Sequence, residues 1–102
     1  MELQFANTEL QRLYTDNVGA DKYTAETVKQ FRRRIRHIEA ARDLRDLQSP
    51  GGVNYKQLGK SLPRRGALLL NGPWQLIILE RDEKAGKQIV VLEISKGVGG
   101  KG

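Results

Sequence analysis

Hydrophobic and polar positions follow a different pattern in each part of this chain. The most informative stretch is Gly66–Ser95, in which two turn signals separate three apolar runs: Ala67–Leu70, Trp74–Leu79 and Ile89–Ile94. Short apolar runs bounded by Gly, Pro, Asn and Asp are typical of β-strands. The pattern therefore predicts an antiparallel β-meander in the C-terminal half of the chain.

The two turn signals predict how the apolar runs are connected. The pair Asn71-Gly72, followed by Pro73, predicts a two-residue hairpin loop of type I′, because Asn and Gly both tolerate a positive φ. The segment Asp82–Gly86 is polar and ends in a glycine, which predicts a longer loop with that glycine in the left-handed conformation. The middle run is nearly continuous rather than alternating, which indicates a central strand covered on much of both faces.

The N-terminal part predicts a strand followed by a short helix. Leu3 and Phe5 alternate with polar residues, as in a half-buried strand that joins the meander. A helix is predicted from an N-cap at Asn7 or Thr8 to about Thr15. Its apolar residues share one face at helical spacing: Leu10, Leu13 and Tyr14.

A second, longer helix is predicted from an N-cap at Thr24 to about Arg42, with Glu26 in its first turn, where the helix dipole favours an anion. Its apolar residues are three or four positions apart, as expected for a helix packed on a core: Val28, Phe31, Ile35, Ile38 and Ala41. Leu44 and Leu47 continue this spacing for another turn. The segment Ser49–Gly52 is then expected to stop the helix.

Length and composition predict one domain and a cytoplasmic location. A chain of 102 residues without cysteine fits a single domain that needs no disulfide, which we place at residues 1–96, followed by a flexible glycine-rich tail at 97–102. No apolar stretch approaches the length of a membrane span, so no contact with a membrane is expected. His37 is the only histidine. We therefore expect no metal site, no cofactor and no Cys-His nucleophile.

Positive charge points to a polyanionic partner. The formal net charge is +6 and the pI is about 9.9, which favours nucleic acid or an acidic protein as the partner. Four cations follow one another along the outer side of the second helix: Lys29, Arg32, Arg33 and Arg36. This row either contacts an anionic partner or is simply a solvated helix face.

A second cationic cluster lies in the connector Val53–Gly66, which joins the helices to the meander. Its cations are Lys56, Lys60, Arg64 and Arg65, and no carboxylate occurs between Asp46 and Glu80. These side chains are suited to binding phosphates, and Tyr55 is suited to stacking on a base. The alternative is a charged loop whose only effect is on solubility.

Three segments resemble the RelE/ParE superfamily of type II toxin-antitoxin toxins, and most closely its HigB or plasmid maintenance killer protein branch. They are MELQFANTELQRL at the start, VKQFRRRIRHIEAARDLRDLQSP in the long helix, and LLLNGPWQLIILE at the hairpin, where the branch has a similar Arg-Val/Leu-Asn-x-x-Trp-Arg pattern. The resemblance covers about residues 1–95. It implies an α+β fold in the order β-α-α-β-β-β, with a small antiparallel sheet of about four strands. Two helices would pack on one face, and the other face would be concave and cationic.

The resemblance also implies an activity and a partner. Typical members cleave mRNA in the ribosomal A site without a metal, through attack of the substrate 2′-OH on the adjacent phosphate. Basic side chains stabilise the charge on that phosphate, and a Tyr, His or acidic group near the C-terminus handles protons. An antitoxin with a helix-turn-helix DNA-binding domain forms a hetero-oligomer with the toxin and neutralises it.

The sequence departs from the family at several positions. Leu69 and Gln75 occupy positions where the branch has Arg, and the terminal Asp-Tyr-His of the family falls on about Ser95, Lys96 and Gly97. In the connector, the family's Leu-Lys-Gly is replaced by Leu58-Gly59-Lys60. Loss of one donor to a charged transition state costs roughly 10² to 10³ in rate. The departures therefore affect the activity that is expected, and not the fold.

Three hypotheses follow. The first is a ribosome-dependent mRNA endonuclease, whose catalytic charge comes from Lys56, Lys60, Arg64, Arg65 and Arg81, and whose RNA-binding residues are Tyr55, Lys96 and the helix row Lys29, Arg32, Arg33 and Arg36. The second is a catalytically degenerate homologue that binds antitoxin or RNA. The third is a ParE-like poison of DNA gyrase, which requires none of the ribonuclease residues.

Overall fold

A computed structural model describes residues 2–42, 46, 55–57, 64–83 and 86–96. Its elements, in chain order, are β1 (Glu2–Phe5), α1 (Thr8–Asp16), one 3₁₀ turn (Ala20–Lys22), α2 (Ala25–Ala40), β2 (Tyr55–Gln57), β3 (Arg65–Asn71), β4 (Trp74–Glu83) and β5 (Gly86–Lys96). The protein therefore has a small α+β fold, as predicted. Within the described residues, no helix has the length and apolar character needed to cross a membrane.

Both predicted helices are present with the predicted N-caps. The Asn7 side chain accepts a hydrogen bond from the backbone of Leu10, and the Thr24 hydroxyl accepts one from the backbone of Thr27. These bonds satisfy backbone donors that have no partner within the first turn of a helix. The second helix ends at Ala40, because Ala41 already has an extended backbone. The predicted continuation through Leu44 and Leu47 and the predicted stop signal lie outside the described residues.

The strand order in the sheet is β1-β5-β4-β3-β2, so β4 is central, as predicted for the middle apolar run. The prediction of an antiparallel sheet is wrong for one pair, because β1 runs parallel to β5. Most of the chain separates these two strands, so no hairpin fixes their relative direction. The sheet is therefore mixed, and its meander β3-β4-β5 is antiparallel.

The described part of the sheet has five strands rather than about four, because the predicted connector contains a strand. The segment Tyr55–Gln57 is β2, which pairs antiparallel with β3. Its pairing covers backbone groups of β3 that would otherwise form an open sheet edge. The chain therefore adds one short edge strand before the meander begins.

The first hairpin loop lies one residue later than predicted. Asn71 pairs with Trp74, so the two loop residues are Gly72 and Pro73. A type I′ loop needs a positive φ at both positions, which proline cannot adopt. Gly72 has a φ of 57°, and the combination of positive φ followed by proline is that of a type II′ loop.

The second loop is shorter than predicted, because Glu83 pairs directly with Gly86. The two residues between them lie outside the described residues. Gly86 has a φ of 130°, which is positive but is not the left-handed helical value that was predicted. Glycine still suits this position, because residues with a Cβ rarely adopt such a backbone.

The hydrophobic core lies between the helices and one face of the sheet. Phe31, Ile35 and Ile38 of α2 are fully buried, which confirms the predicted apolar stripe. They belong to one cluster with Leu10 and Leu13 of α1 and with strand residues that share a face: Leu68, Leu70, Leu76, Ile78, Ile89 and Val91. The helices therefore cover this face of the sheet, and the described residues place no helix on the other.

Candidate nucleic-acid interface

The face of the sheet opposite the helices can be assigned from the strand register. Along β4, the core residues Leu76 and Ile78 alternate with residues that project from the opposite face. We call this opposite face the second face. Its β4 residues are Gln75, Ile77, Leu79 and Arg81. Residues paired with them extend it: Arg65, Ala67 and Leu69 on β3, and Gln88, Val90, Glu93 and Ser95 on β5.

Two of the predicted catalytic cations lie together on the second face. Arg65 pairs with Leu79, and Arg81 follows Leu79 by two residues on the same face. Arg65 and Arg81 are therefore diagonal neighbours, which are typically about 7–8 Å apart and within reach of long side chains. Both residues are exposed. The sheet thus brings together two cations from different strands.

The Arg81 guanidinium is oriented by two glutamines from other strands. Its Nε and Nη2 both donate to Oε1 of Gln88, at 3.1 and 2.5 Å, and Nη2 also donates to Oε1 of Gln4 at 3.2 Å. Gln88 is only 5% exposed. Amide oxygens carry no formal charge, so these bonds orient the guanidinium without cancelling its positive charge.

Only some of the predicted connector residues lie in the described part of the chain. Tyr55 and Lys56 are in β2, where the backbone register pairs Tyr55 with Leu68 and Lys56 with Ala67 of the second face. Lys60 lies outside the described residues. The sheet therefore places Lys56 on the edge strand next to the strand that contains Arg65.

Arg64 belongs to a charged network at the rim of the sheet. Its Nη2 donates to the Asp82 carboxylate at 3.0 Å, and Lys87 Nζ contacts the same carboxylate at 2.9 Å. Hydrogen bonds from Lys87 and then from Arg64 lower the pKa of Asp82, whereas hydrogen bonds to Asp82 and to Glu80 raise the pKa of Lys87. Arg64 is thus partly neutralised by a carboxylate within the chain.

The four cations of the row along α2 do not all face solvent. Lys29, Arg33 and Arg36 are exposed. Arg32 instead turns toward the end of α1, where its guanidinium donates to the carbonyl oxygens of Tyr14 at 3.0 Å and Leu13 at 3.2 Å, and to the side chain of Asn17. The predicted RNA-binding row therefore has three outward cations, and the fourth joins the two helices.

One further arginine of α2 lies against the sheet. Arg34 donates from Nε to the carbonyl oxygen of Leu69 at 3.1 Å and thereby links α2 to β3. Burial, and then the nearby charge of Arg33, lower the pKa of Arg34. No pattern in the sequence separates Arg34 from its cationic neighbours, so its contact was not predicted.

Lys96 lies apart from the two cations of the second face. Its Nζ is 5.7 Å from the ring centroid of Trp74, and the Trp74 ring meets Tyr23 edge-on at a centroid distance of 5.2 Å. Trp74 packs against the core cluster on the helix side of the sheet. The fold therefore places the predicted RNA-binding Lys96 on the opposite side from Arg65 and Arg81.

Three of the positions that depart from the resembled family lie in one row of the second face. Leu69 pairs with Gln75, and Gln75 pairs with Ser95, so the row crosses three strands without a charged group. Leu69 is 40% exposed. The side-chain oxygen of Gln75 is buried and has no hydrogen-bond partner among the residues that the structure describes. Gly97 lies outside the described residues.

Gln4 and Gln88 are the site residues that sequence reasoning missed. Glutamine has no distinctive spacing, and the contact of Gln4 with Arg81 joins residues at opposite ends of the chain. The only available signal is the alternation in β5, which places Gln88 and Val90 on one face. Even that signal does not show that Arg81 lies opposite Gln88.

No protein-family model matches the chain, and no curated protein matches it. Among the described residues, no group of three or more His, Cys, Asp or Glu is arranged to hold a metal ion. A functional assignment therefore depends on the residues and on their arrangement.

Proposed function

We propose that this protein is the toxin of a type II toxin-antitoxin system and that it cleaves mRNA on the ribosome without a metal. The observation that supports this proposal best is the juxtaposition of Arg65 and Arg81 on the one sheet face to which the described residues add no helix. The order of strand, two helices and meander also agrees with the resemblance noted above.

The proposed reaction is a transesterification within the RNA. The 2′-oxygen of one nucleotide loses its proton and attacks the adjacent phosphorus, the bond from phosphorus to the 5′-oxygen breaks, and that oxygen takes up a proton. The products are a 2′,3′-cyclic phosphate and a free 5′-hydroxyl. Negative charge increases on the phosphate during attack, so a fixed guanidinium nearby lowers the barrier. In this proposal Arg81 and Arg65 supply that charge, and the other predicted cations, Lys56, Lys60 and Arg64, bind further phosphates of the RNA.

The outward cations of α2 have a different role in the proposal. Lys29, Arg33 and Arg36 are exposed on the far side of the core from the second face. They would hold phosphates of a ribosome-bound RNA without contacting the reacting bond. Truncation of one of them should weaken binding and reduce its dependence on salt, and the cleavage step itself should be unchanged.

A catalytically degenerate homologue is the second candidate, and the neutral row of Leu69, Gln75 and Ser95 favours it. Here the same cationic surfaces would bind RNA or an acidic segment of an antitoxin, without cleavage. The double variant Leu69→Arg/Gln75→Arg separates the candidates when the wild-type protein does not cleave. A gain of new mRNA ends would show an eroded nuclease, and no gain would favour a binding protein or a gyrase poison.

Induced expression, with and without the products of the flanking genes, tests the toxin assignment. We expect growth arrest when the protein is expressed alone and normal growth when a small helix-turn-helix protein from a neighbouring gene is co-expressed. The purified pair should form a salt-sensitive complex, because exposed charges contribute to it. If the protein alone leaves growth unchanged and neither flanking product binds it, the toxin assignment is wrong.

A further inference from the structure

The Asn71-Gly72 pair at the first hairpin loop is a chemically reactive sequence. The backbone nitrogen of the residue that follows an asparagine can attack the side-chain amide carbon, because both groups belong to the same chain and close a five-membered succinimide ring. A side chain on the following residue hinders this attack, and glycine has none. Of the four asparagines in the chain, only Asn71 precedes a glycine.

The hairpin leaves both reacting groups unobstructed. Gly72 and Pro73 are exposed loop residues, and Asn71 is half-buried at the end of β3. Among the described residues, neither the Asn71 side chain nor the Gly72 N–H has a hydrogen-bond partner. In the same part of the chain, no atom lies within 4 Å of the position that a Cβ on Gly72 would occupy. Neither hydrogen bonding nor crowding therefore keeps the amide from the nitrogen.

Closure of the ring requires only the end of the hairpin to open. Asn71 pairs with Trp74, which keeps the Asn71 backbone extended, whereas the ring needs a different ψ. This is the last pair of the hairpin, and the register is already irregular between Leu69 and Asn71. Terminal pairs of this kind open locally at a much lower free energy than the core. The folded chain can therefore react, although more slowly than a flexible peptide of the same sequence.

Two other asparagines serve as controls within the same molecule. The side chains of Asn7 and Asn17 are held by hydrogen bonds, because Asn7 caps α1 and Asn17 accepts from Arg32. The residues that follow them, Thr8 and Val18, are β-branched and hinder closure of the ring. Both asparagines should therefore react much more slowly than Asn71.

We propose that Asn71 is a site of spontaneous deamidation. The Gly72 nitrogen loses its proton and bonds to the side-chain carbon of Asn71, and the bond from that carbon to the side-chain nitrogen breaks, so that ammonia leaves. Water then opens the succinimide at one of its two carbonyl groups. The product is either aspartate or an isoaspartate, in which the main chain passes through the side-chain carbon. The reaction needs neither RNA nor a partner protein, so it does not rest on the proposed function.

The isoaspartate product should disturb the hairpin. It adds one methylene to the main chain and a carboxylate beside the loop, so the pair of Asn71 and Trp74 loses its register. The Trp74 ring meets Tyr23 edge-on at a centroid distance of 5.2 Å and lies 5.7 Å from Nζ of Lys96. Trp74 is the only tryptophan of the chain, so its fluorescence reports directly on this end of the hairpin.

Incubation of the full-length protein at neutral and at mildly alkaline pH, followed by peptide mapping with mass spectrometry, tests the proposal. Deamidation at Asn71 should be at least about 10-fold faster than at Asn7 or Asn17, because only Asn71 precedes a residue without a side chain. The rate should increase with pH, because the deprotonated nitrogen is the nucleophile. Isoaspartate in the hairpin peptide should be detectable by enzymatic methylation of its carboxylate. The Trp74 emission should change in step with the loss of the amide.

The variant Asn71→Gln is the matched control, because its longer side chain would have to close a less favourable six-membered ring. The hairpin of this variant should stay unmodified, and its Trp74 emission should stay constant during the same incubation. A capped peptide that spans the hairpin measures the reactivity of the sequence without the fold. If this peptide reacts while Asn71 in the protein reacts no faster than Asn7, the folded hairpin protects the site and the proposal is wrong.

Discussion

Arg32 provides the sharpest test of how the structure divides the cations of α2. In the sequence it is one of four equivalent members of a basic row, but in the structure it joins α2 to the end of α1. The change Arg32→Ala removes its hydrogen bonds to the carbonyl oxygens of Leu13 and Tyr14 and to the side chain of Asn17. The change Arg33→Ala removes an equally charged but exposed neighbour, so it is the matched control.

The loss of stability expected for Arg32→Ala follows from the hydrogen bonds that the Arg32 side chain makes. The last four carbonyl groups of a helix have no partner within it, and Arg32 serves two of these groups at the end of α1. A cation at a helix C-terminus contributes about 0.3–1 kcal/mol, and a hydrogen bond with a charged donor contributes about 1.5–3 kcal/mol when it is shielded from water. Water can reach this half-buried site and replace part of the loss. We therefore expect Arg32→Ala to cost about 1–2 kcal/mol.

Urea and thermal unfolding, followed by circular dichroism, measure this cost. A loss of 1 kcal/mol lowers the Tm of a domain of this size by about 4–8 °C, so Arg32→Ala should lower it by about 5–15 °C. The control Arg33→Ala should remain within about 0.5 kcal/mol of the wild type. Equal stabilities of the two variants would show that Arg32 does not connect the helices.

Three other predictions concern the core and the titrating groups. Phe31→Asp should abolish cooperative unfolding, because a carboxylate at a fully buried position costs several kcal/mol, and the free energy of unfolding of a domain is only about 5–15 kcal/mol. A folded Phe31→Asp variant would refute the packing of α2 on the sheet. Hydrogen bonds from Lys87 and Arg64 lower the pKa of Asp82, so its contribution to stability is present at neutral pH and is lost as pH falls through that lowered value. Asp82→Asn should therefore lower the urea midpoint at neutral pH and lose this effect in acid, where the carboxyl is protonated in both the folded and the unfolded chain. An effect confined to acid would refute the assignment. Desolvation and then the charges of two neighbouring arginines lower the pKa of His37 from its ordinary value of 6.5. Its NMR titration should therefore have a midpoint below 6.5, and a midpoint above 6.5 would contradict this environment.

Local patterns were sufficient to predict the helices and the meander. The stripe that contains Phe31, Ile35 and Ile38 has the 3.6-residue period of an amphipathic helix, and all three residues are fully buried. Asn7 and Thr24 act as N-caps because their side-chain oxygens accept from nearby backbone donors, which is a local effect. Such features depend on residues a few positions apart, so the sequence shows them directly.

Features that depend on distant residues could not be predicted in the same way. The direction of β1 depends on its pairing with β5, and the strand β2 depends on the free edge of β3. The first hairpin loop lies one residue later than the Asn71-Gly72 pair predicts, because Pro73, whose ring fixes a negative φ, occupies the second loop position. In the candidate site, Arg65 and Arg81 could be named from charge alone. Their juxtaposition requires the strand register.

The central claim is that the second face cleaves mRNA on the ribosome, and its most direct test is to map mRNA ends on translating ribosomes treated with the purified protein. The account predicts new ends at the codon in the ribosomal A site, with a 5′-hydroxyl on the downstream fragment. These ends should decrease by at least about 10²-fold with Arg81→Ala and persist with Arg33→Ala. Absence of new ends with the wild-type protein, or equal cleavage by Arg81→Ala, would contradict the claim.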